Sequence, residues 1–215
     1  MSNSLLSRTI GCLFLAAIFT YATGSALVNN ILSATEFPAN PSGVPFPLSA
    51  GGFLMLLNSL AVVGIGVLMA NILKPRFALV ARFYLVSRLV EAVLLLIGVI
   101  ALLSAIVVVR KNSGDPALLQ LILEQAKMTN YYAYQTAMLT LGVGSLGLCY
   151  AFLKGGITPR YLAWWGLVGY AIFTLGAVLE LFGIEAGLML SVPGGLFEVF
   201  FGGWLLFKPL KFNSL

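Results

Sequence analysis

Three charged residues lie inside apolar stretches of this chain, and they are its strongest candidates for chemistry. Arg88 and Glu91 occur in RFYLVSRLVEAVLLLIGVIALL, residues 82–103, and Glu198 occurs in LFEVFFGGWLLF, residues 196–207. A spacing of three places Arg88 and Glu91 on one helical face, one turn apart. At a membrane helix centre each charge costs about 2.5–3.5 kcal/mol, so such residues pair or serve a binding or proton path.

The sequence predicts that two of these side chains lie at a similar depth in different helices. Arg88 and Glu198 are both about 15–17 Å from the basic ends of their helices, at 1.5 Å per residue. We therefore expect an Arg88–Glu198 bridge, with Glu91 as a second acceptor and Asn58 and Tyr84 nearby. The alternative is that Arg88 extends to the membrane surface while both glutamates remain protonated.

Composition indicates the environment in which this centre must fold. Of the 215 residues, 60% are hydrophobic and 9% are charged, against an average of about 25% charged residues in soluble domains. The mean hydropathy is +1.01. The formal charge of +5 comes from basic residues scattered at the ends of apolar runs, which is a topology signal and not a nucleic-acid patch. The chain is predicted to be a single integral membrane domain in contact with lipids.

Six apolar runs are long enough to cross a bilayer, which takes about 20 helical residues. The sequence predicts spans over residues 10–28, 48–73, 77–109, 131–152, 161–182 and 188–207. The stretch ALLQLILEQAK, between the third and fourth spans, predicts a short interfacial helix with Asp115 at its N-cap and Pro116 at N1. Four prolines between Pro38 and Pro47 predict a surface loop before the second span.

Basic residues predict the orientation of this all-α, six-helix bundle. With the N-terminus in the cytoplasm, eight lysines and arginines fall at cytoplasmic helix ends and three at the opposite ends. The positive-inside rule therefore predicts that both termini are cytoplasmic and that the short interfacial helix faces outward. Glu180 and Glu185 fall near that outer boundary, where we expect solvated carboxylates.

Several features argue against a metal, a cofactor or a catalytic set. The chain contains no histidine, which removes the commonest general base and metal ligand. GVGSLG, residues 142–147, matches a dinucleotide-binding pattern, but no strand precedes it and no acidic residue follows about 20 positions later. We interpret these glycines as small residues that allow close helix packing. We predict no metal ligands, no cofactor and no catalytic residues.

Several short motifs, in a fixed order, resemble a known family. They are RLVEA at 88–92, GITPRYL at 156–162, WGL at 165–167, LELFG at 179–183, and Pro193 followed by Glu198 and WLL at 204–206. In this order they resemble the prokaryotic membrane family known as domain of unknown function 4386, over nearly the whole chain. The resemblance implies a multi-pass protein of a prokaryotic cell (inner) membrane and implies no particular activity.

Three functional hypotheses fit this sequence. The first is a non-enzymatic membrane module or accessory subunit, in which a buried ion pair fixes helix packing and the outer segments contact lipid, a partner protein or a second copy of the chain. The second is a small transporter or a ligand- or lipid-binding protein that uses Arg88, Glu91 and Glu198 for an anion or a proton. The third, an enzyme acting on lipid, is disfavoured because histidine and a metal-ligand cluster are absent. We expect the first, with the second as its alternative.

Overall fold

The chain folds into six long α-helices in a computed structural model that describes residues 3–32, 45–111 and 115–211. The helices are α1 Asn3–Leu32, α2 Pro45–Leu73, α3 Ala78–Lys111, α4 Pro116–Gly155, α5 Arg160–Leu181 and α6 Gly187–Phe207. All six are long and apolar enough to cross a membrane. The prediction of an all-α bundle of six membrane-spanning helices is therefore confirmed for the described part of the chain.

The six helices form a closed ring. Each helix packs against the next one in the chain, and α6 returns to pack against α1. On one side of this ring, hydrogen bonds connect the residues after α6 to α1 and to the α4–α5 turn. Leu210 N donates to Ser7 Oγ at 3.0 Å, and Lys211 N donates to the Ile157 carbonyl in the α4–α5 turn at 3.0 Å. We call this side the closed end, and it is the side that the basic residues predict to be cytoplasmic.

Aromatic side chains fill the ring toward its closed end. Phe201 of α6 lies at their centre, with its ring centroid 5.5 Å from that of Phe14 on α1. The centroids of Phe152 on α4 and Phe197 on α6 are 5.5 Å and 5.4 Å from it. These rings belong to an apolar cluster to which all six helices contribute.

Unequal helix lengths leave the opposite side of the ring incomplete. α3 and α4 contain 34 and 40 residues, whereas α5 and α6 contain 22 and 21. At 1.5 Å per residue, α3 and α4 are about 50 and 60 Å long and extend past the turn that joins α5 to α6. The second apolar cluster accordingly contains residues of α1 to α4 only. We call this side the open end.

The predicted short interfacial helix is instead the beginning of α4, which continues without a break to Gly155. Asp115 is the N-cap as predicted, and its carboxylate accepts a hydrogen bond from Ala117 N at 3.0 Å. No glycine or proline separates this part from the following span, so nothing in the sequence ends the helix. Leu119 and Leu123 belong to the same apolar cluster as α3 residues, so this segment packs along α3.

The second helix begins earlier than predicted. Pro45 and Pro47 belong to the first turn of α2, although the prolines predicted a loop there. The first N–H groups of a helix have no acceptor within it, so proline is tolerated at these positions. The remainder of the predicted loop, residues 33–44, lies outside the described residues.

Glycines bring α4 close to its neighbours, as predicted for residues 142–147. A Cβ at Gly144 would lie 2.7 Å from Ser87 Cβ on α3, a distance at which one of the two helices must shift. A Cβ at Gly147, on the same helix, would lie 3.5 Å from Val80 Cγ1, an ordinary contact. Close approach of α4 to α3 therefore depends on Gly144 and not on every glycine of this run.

These two glycines supply a matched test of the α3–α4 contact. Both alanine substitutions favour the helix by about 1 kcal/mol, but Gly144→Ala also overpacks the contact, which typically costs about 1–3 kcal/mol. We expect Gly144→Ala to unfold at a lower temperature than Gly147→Ala when both are purified in the same detergent. Equal unfolding temperatures would contradict the close contact at Gly144.

Candidate functional site

The buried ion pair forms within α3. Arg88 Nη1 donates to Glu91 Oε2 at 2.8 Å, and both side chains are 3% exposed. Arg88 Nε donates to the Tyr84 hydroxyl at 2.9 Å. Residues 84, 88 and 91 follow the i, i+4, i+7 spacing, so one face of a single helix carries the phenol, the guanidinium and the carboxylate.

The guanidinium of Arg88 also lies close to two aromatic rings. Its central carbon is 5.6 Å from the ring centroid of Phe14 on α1 and 5.4 Å from that of Tyr84. Such contacts contribute about 0.5–2 kcal/mol, most when the cation is desolvated. Arg88 is 2% exposed as a residue, so the alternative in which it extends to the membrane surface is wrong.

The expected bridge between Arg88 and Glu198 is not formed. Among the described residues the ion pair of Arg88 is with Glu91, and Glu198 Oε1 instead accepts a hydrogen bond from the Tyr170 hydroxyl of α5 at 2.8 Å. Glu91 is one helical turn from Arg88, whereas α3 and α6 are not neighbours in the ring. Similar depth in two helices is therefore not sufficient for contact across the bundle.

A cavity of about 250 Å³ lies inside the ring, and all six helices contribute to its wall. Arg88, Glu91, Asn58 and Glu198 supply polar groups to this wall. Tyr84 does not line the cavity but accepts a hydrogen bond from Arg88. The structure thus brings the five predicted polar residues to one place. Four aromatic side chains also line the cavity, Phe14, Tyr21, Tyr134 and Phe173, and most of the remaining wall is aliphatic.

Two further clefts share wall residues with the cavity and lie on its open-end side. Tyr21 and Tyr134 are stacked, with their centroids 5.2 Å apart and their planes 19° apart. Both line the cavity and a cleft of about 470 Å³ that also reaches Asn29 and Lys127. Tyr134 also lines a cleft of about 190 Å³ beside Glu180. The Tyr21–Tyr134 stack therefore lies where the cavity meets the larger cleft.

The sequence carried little signal for the tyrosines of this site. Tyr170 is a single phenol in an apolar run, 28 positions before Glu198, and no helical spacing relates residues of different helices. Tyr134 belongs to a tyrosine group at a predicted span boundary, which is typical of an interfacial belt. Its place in the cavity wall follows from the continuation of α4 beyond that boundary.

Glu180 is buried, so the prediction of a solvated side chain is wrong for this residue. Its carboxylate accepts hydrogen bonds from the Tyr131 hydroxyl of α4 and, at 2.6 Å, from Gly187 N. Gly187 is the first residue of α6, where N–H groups lack helical acceptors and the helix dipole favours an anion. Glu180 therefore joins three helices at the open end, whereas Glu185 is exposed as predicted.

The available chemistry is that of charged and phenolic groups. Among the described residues, no group of three His, Cys, Asp or Glu side chains could hold a metal ion. The cavity wall combines a guanidinium, two carboxylates and an amide with aromatic rings. Groups of these types can bind the polar end of a small molecule by hydrogen bonds and charge, or exchange a proton.

A ring of six membrane-spanning helices around a cavity with polar groups in its wall defines a multi-pass membrane protein, and its outer surface carries exposed leucine, isoleucine, valine and phenylalanine side chains. Residues 9–208 match the family described as Domain of unknown function (DUF4386). The chain belongs to this family, which confirms the resemblance of its motifs. No curated protein and no solved structure matches this chain.

The ion pair within α3 can be tested by a double-mutant cycle. Removing one partner of a buried pair leaves a buried charge and typically costs about 3–5 kcal/mol. We expect Arg88→Leu and Glu91→Leu each to lower the free energy of unfolding strongly, and the double variant to lose less than the sum of the two. Denaturant unfolding in detergent micelles measures the free energy of unfolding of the wild type, the two single variants and the double variant. Additive losses would contradict direct coupling.

Proposed function

We propose that this protein is a non-enzymatic membrane protein that binds a small molecule in its central cavity, beside the polar centre of Arg88, Glu91 and Glu198. We further propose that it lies in a prokaryotic cell membrane with both termini in the cytoplasm, as its motifs and basic residues predict. The observation that carries the proposal is that a complete ion pair, supplied by one helix, forms part of the cavity wall.

A purely structural ion pair would be expected to join two helices. Arg88 pairs with Glu91 and hydrogen bonds to Tyr84, and all three residues belong to α3. These hydrogen bonds therefore add no link between α3 and its neighbours. Charges in a membrane helix are expensive and usually mark a path or a ligand site, so a binding role explains the pair better than helix packing does.

The surroundings of the cavity also support binding from one side. The cleft that shares Tyr21 and Tyr134 with the cavity lies toward the open end, whereas Phe201 and its aromatic neighbours fill the ring toward the closed end. Such an arrangement suits a ligand-binding protein or one state of a transporter. With the predicted orientation, the ligand would come from the non-cytoplasmic side.

The cavity volume limits the size of the ligand. Pockets for drug-sized molecules span about 300–1,000 Å³, and this cavity measures about 250 Å³. A small molecule with one polar end and a compact apolar body fits such a space. A whole lipid does not, although a lipid could place its polar end there and leave its chains outside.

Two glycines of α6 supply a cavity-filling variant and a matched control. Gly195 lines the cavity, and a Cβ at this position meets no atom within 4 Å. Gly203 is equally open on the same helix but is not part of the cavity wall. We therefore expect a Gly195→Leu side chain to occupy cavity space and a Gly203→Leu side chain to leave the cavity unchanged.

Two probes with the same apolar body, 2-phenylethanol and 2-phenylethylamine, test binding in nanodiscs of neutral lipid. Ligands that bind the folded state raise its unfolding temperature in a concentration-dependent way. We expect at least one probe to stabilise the wild type and Gly203→Leu equally, and to bind Gly195→Leu about tenfold or more weakly, a difference of about 1.4 kcal/mol. Failure of both probes to stabilise the wild type, or an equal response of the two variants, would overturn the proposed function.

A further inference from the structure

We infer that the ligand of the central cavity carries a cationic group, such as a protonated amine, that pairs with Glu198. This inference rests on the proposed function and adds the chemical class of the ligand. It follows from the charges on the cavity wall, the partners that these charges already have, and the exposure of Glu198 to the cavity.

The charged side chains of the wall do not balance. They are one guanidinium, Arg88, and two carboxylates, Glu91 and Glu198. Arg88 is paired with Glu91 at 2.8 Å and its Nε is occupied by Tyr84. Within the described residues Glu198 forms no ion pair, and its hydrogen-bond donor is the Tyr170 hydroxyl. An ionised Glu198 would therefore leave one uncompensated negative charge at the cavity.

An uncompensated carboxylate is costly in an environment of low polarity. It either takes up a proton or is met by a cation, because one neutral hydrogen bond replaces only part of the lost hydration. A ligand with an ammonium group supplies that cation. A ligand anion is disfavoured, because Arg88 already has its counter-charge and because Glu91 and Glu198 would repel the anion.

The exposure of the three charged side chains also indicates that Glu198 is the group that meets the ligand. Arg88 and Glu91 are each 2% exposed as residues, so they offer little surface to a ligand. Glu198 is partly exposed and lines the cavity. A molecule in the cavity can therefore reach the Glu198 carboxylate while the Arg88–Glu91 pair remains intact.

The rest of the wall suits an amine with an apolar body. Phe14, Tyr21, Tyr134 and Phe173 line the cavity from α1, α4 and α5. Aromatic faces attract ammonium groups through their quadrupole and also pack against hydrocarbon. The polar and apolar parts of a small amphiphilic amine would both find complementary groups in this cavity.

Three probes that share a phenyl ring and differ in charge test this inference: 2-phenylethylamine, 2-phenylethanol and 3-phenylpropionate. The measurement is again the shift of the unfolding temperature with probe concentration, in nanodiscs of neutral lipid. We expect the wild type to bind the amine about tenfold or more tightly than the alcohol, and the propionate least tightly. An ion pair in a cavity of low polarity, added to equal apolar contact, is the reason for this order.

Glu198→Gln removes the charge and keeps an oxygen that can accept the Tyr170 hydrogen bond. We expect this variant to bind the alcohol as the wild type does and to lose the preference for the amine. Glu185→Gln is the matched control, because Glu185 is exposed in the α5–α6 turn and its neutralisation changes the net charge equally. The amine preference should persist in this control.

The outcomes separate this inference from the proposed function. Equal or tighter binding of the alcohol or the propionate to the wild type overturns the cationic ligand but leaves cavity binding, as measured with Gly195→Leu, in place. An amine preference that survives in Glu198→Gln overturns the role of Glu198. If Glu198→Gln does not fold, the order of the three probes on the wild type still decides the charge of the ligand.

Discussion

The Arg88–Glu91 pair imposes the main constraint on this molecule, because neither charge can face the acyl chains. Helical spacing places both on one face of α3, while the exposed face of the same helix carries side chains such as Val86, Val93 and Ile100. α3 must therefore turn its charged face toward other helices. A closed ring, in which α6 packs against α1, provides an interior for that face.

The ring also explains why the charged centre borders a cavity and not a packed core. Helices about 10–12 Å across, arranged around a common axis, leave space along that axis that side chains must fill. Toward the closed end, Phe201 and its aromatic neighbours fill it. Farther toward the open end, the side chains of the wall leave about 250 Å³ unfilled. Beyond this space, the shortness of α5 and α6 leaves the ring incomplete.

Features encoded within one helix were predictable. Apolar runs predicted the six helices, the acidic residue before Pro116 predicted the N-cap of α4, and the spacing of three predicted that Arg88 and Glu91 share a face. Features that depend on contacts between two helices were not predictable. Glu198 was assigned to Arg88 from similar depth and from the cost of leaving a charge alone in lipid, but its hydrogen bond is to Tyr170. Glu180 was assigned to solvent, although it bonds to α4 and to the first residue of α6.

The sequence by itself determined that the chain spans a membrane, that the described residues include six membrane-spanning helices and which polar residues are too costly to face lipid, because these properties depend on local hydropathy and helical period. Only the tertiary structure decided the partners of those residues, the continuity of α4 into the bundle and the presence of a cavity. The physical reason is that contacts between helices depend on their rotation, tilt and order around the ring. Small residues such as Gly144 and the packing of side chains set these quantities jointly, and no single stretch of sequence encodes them.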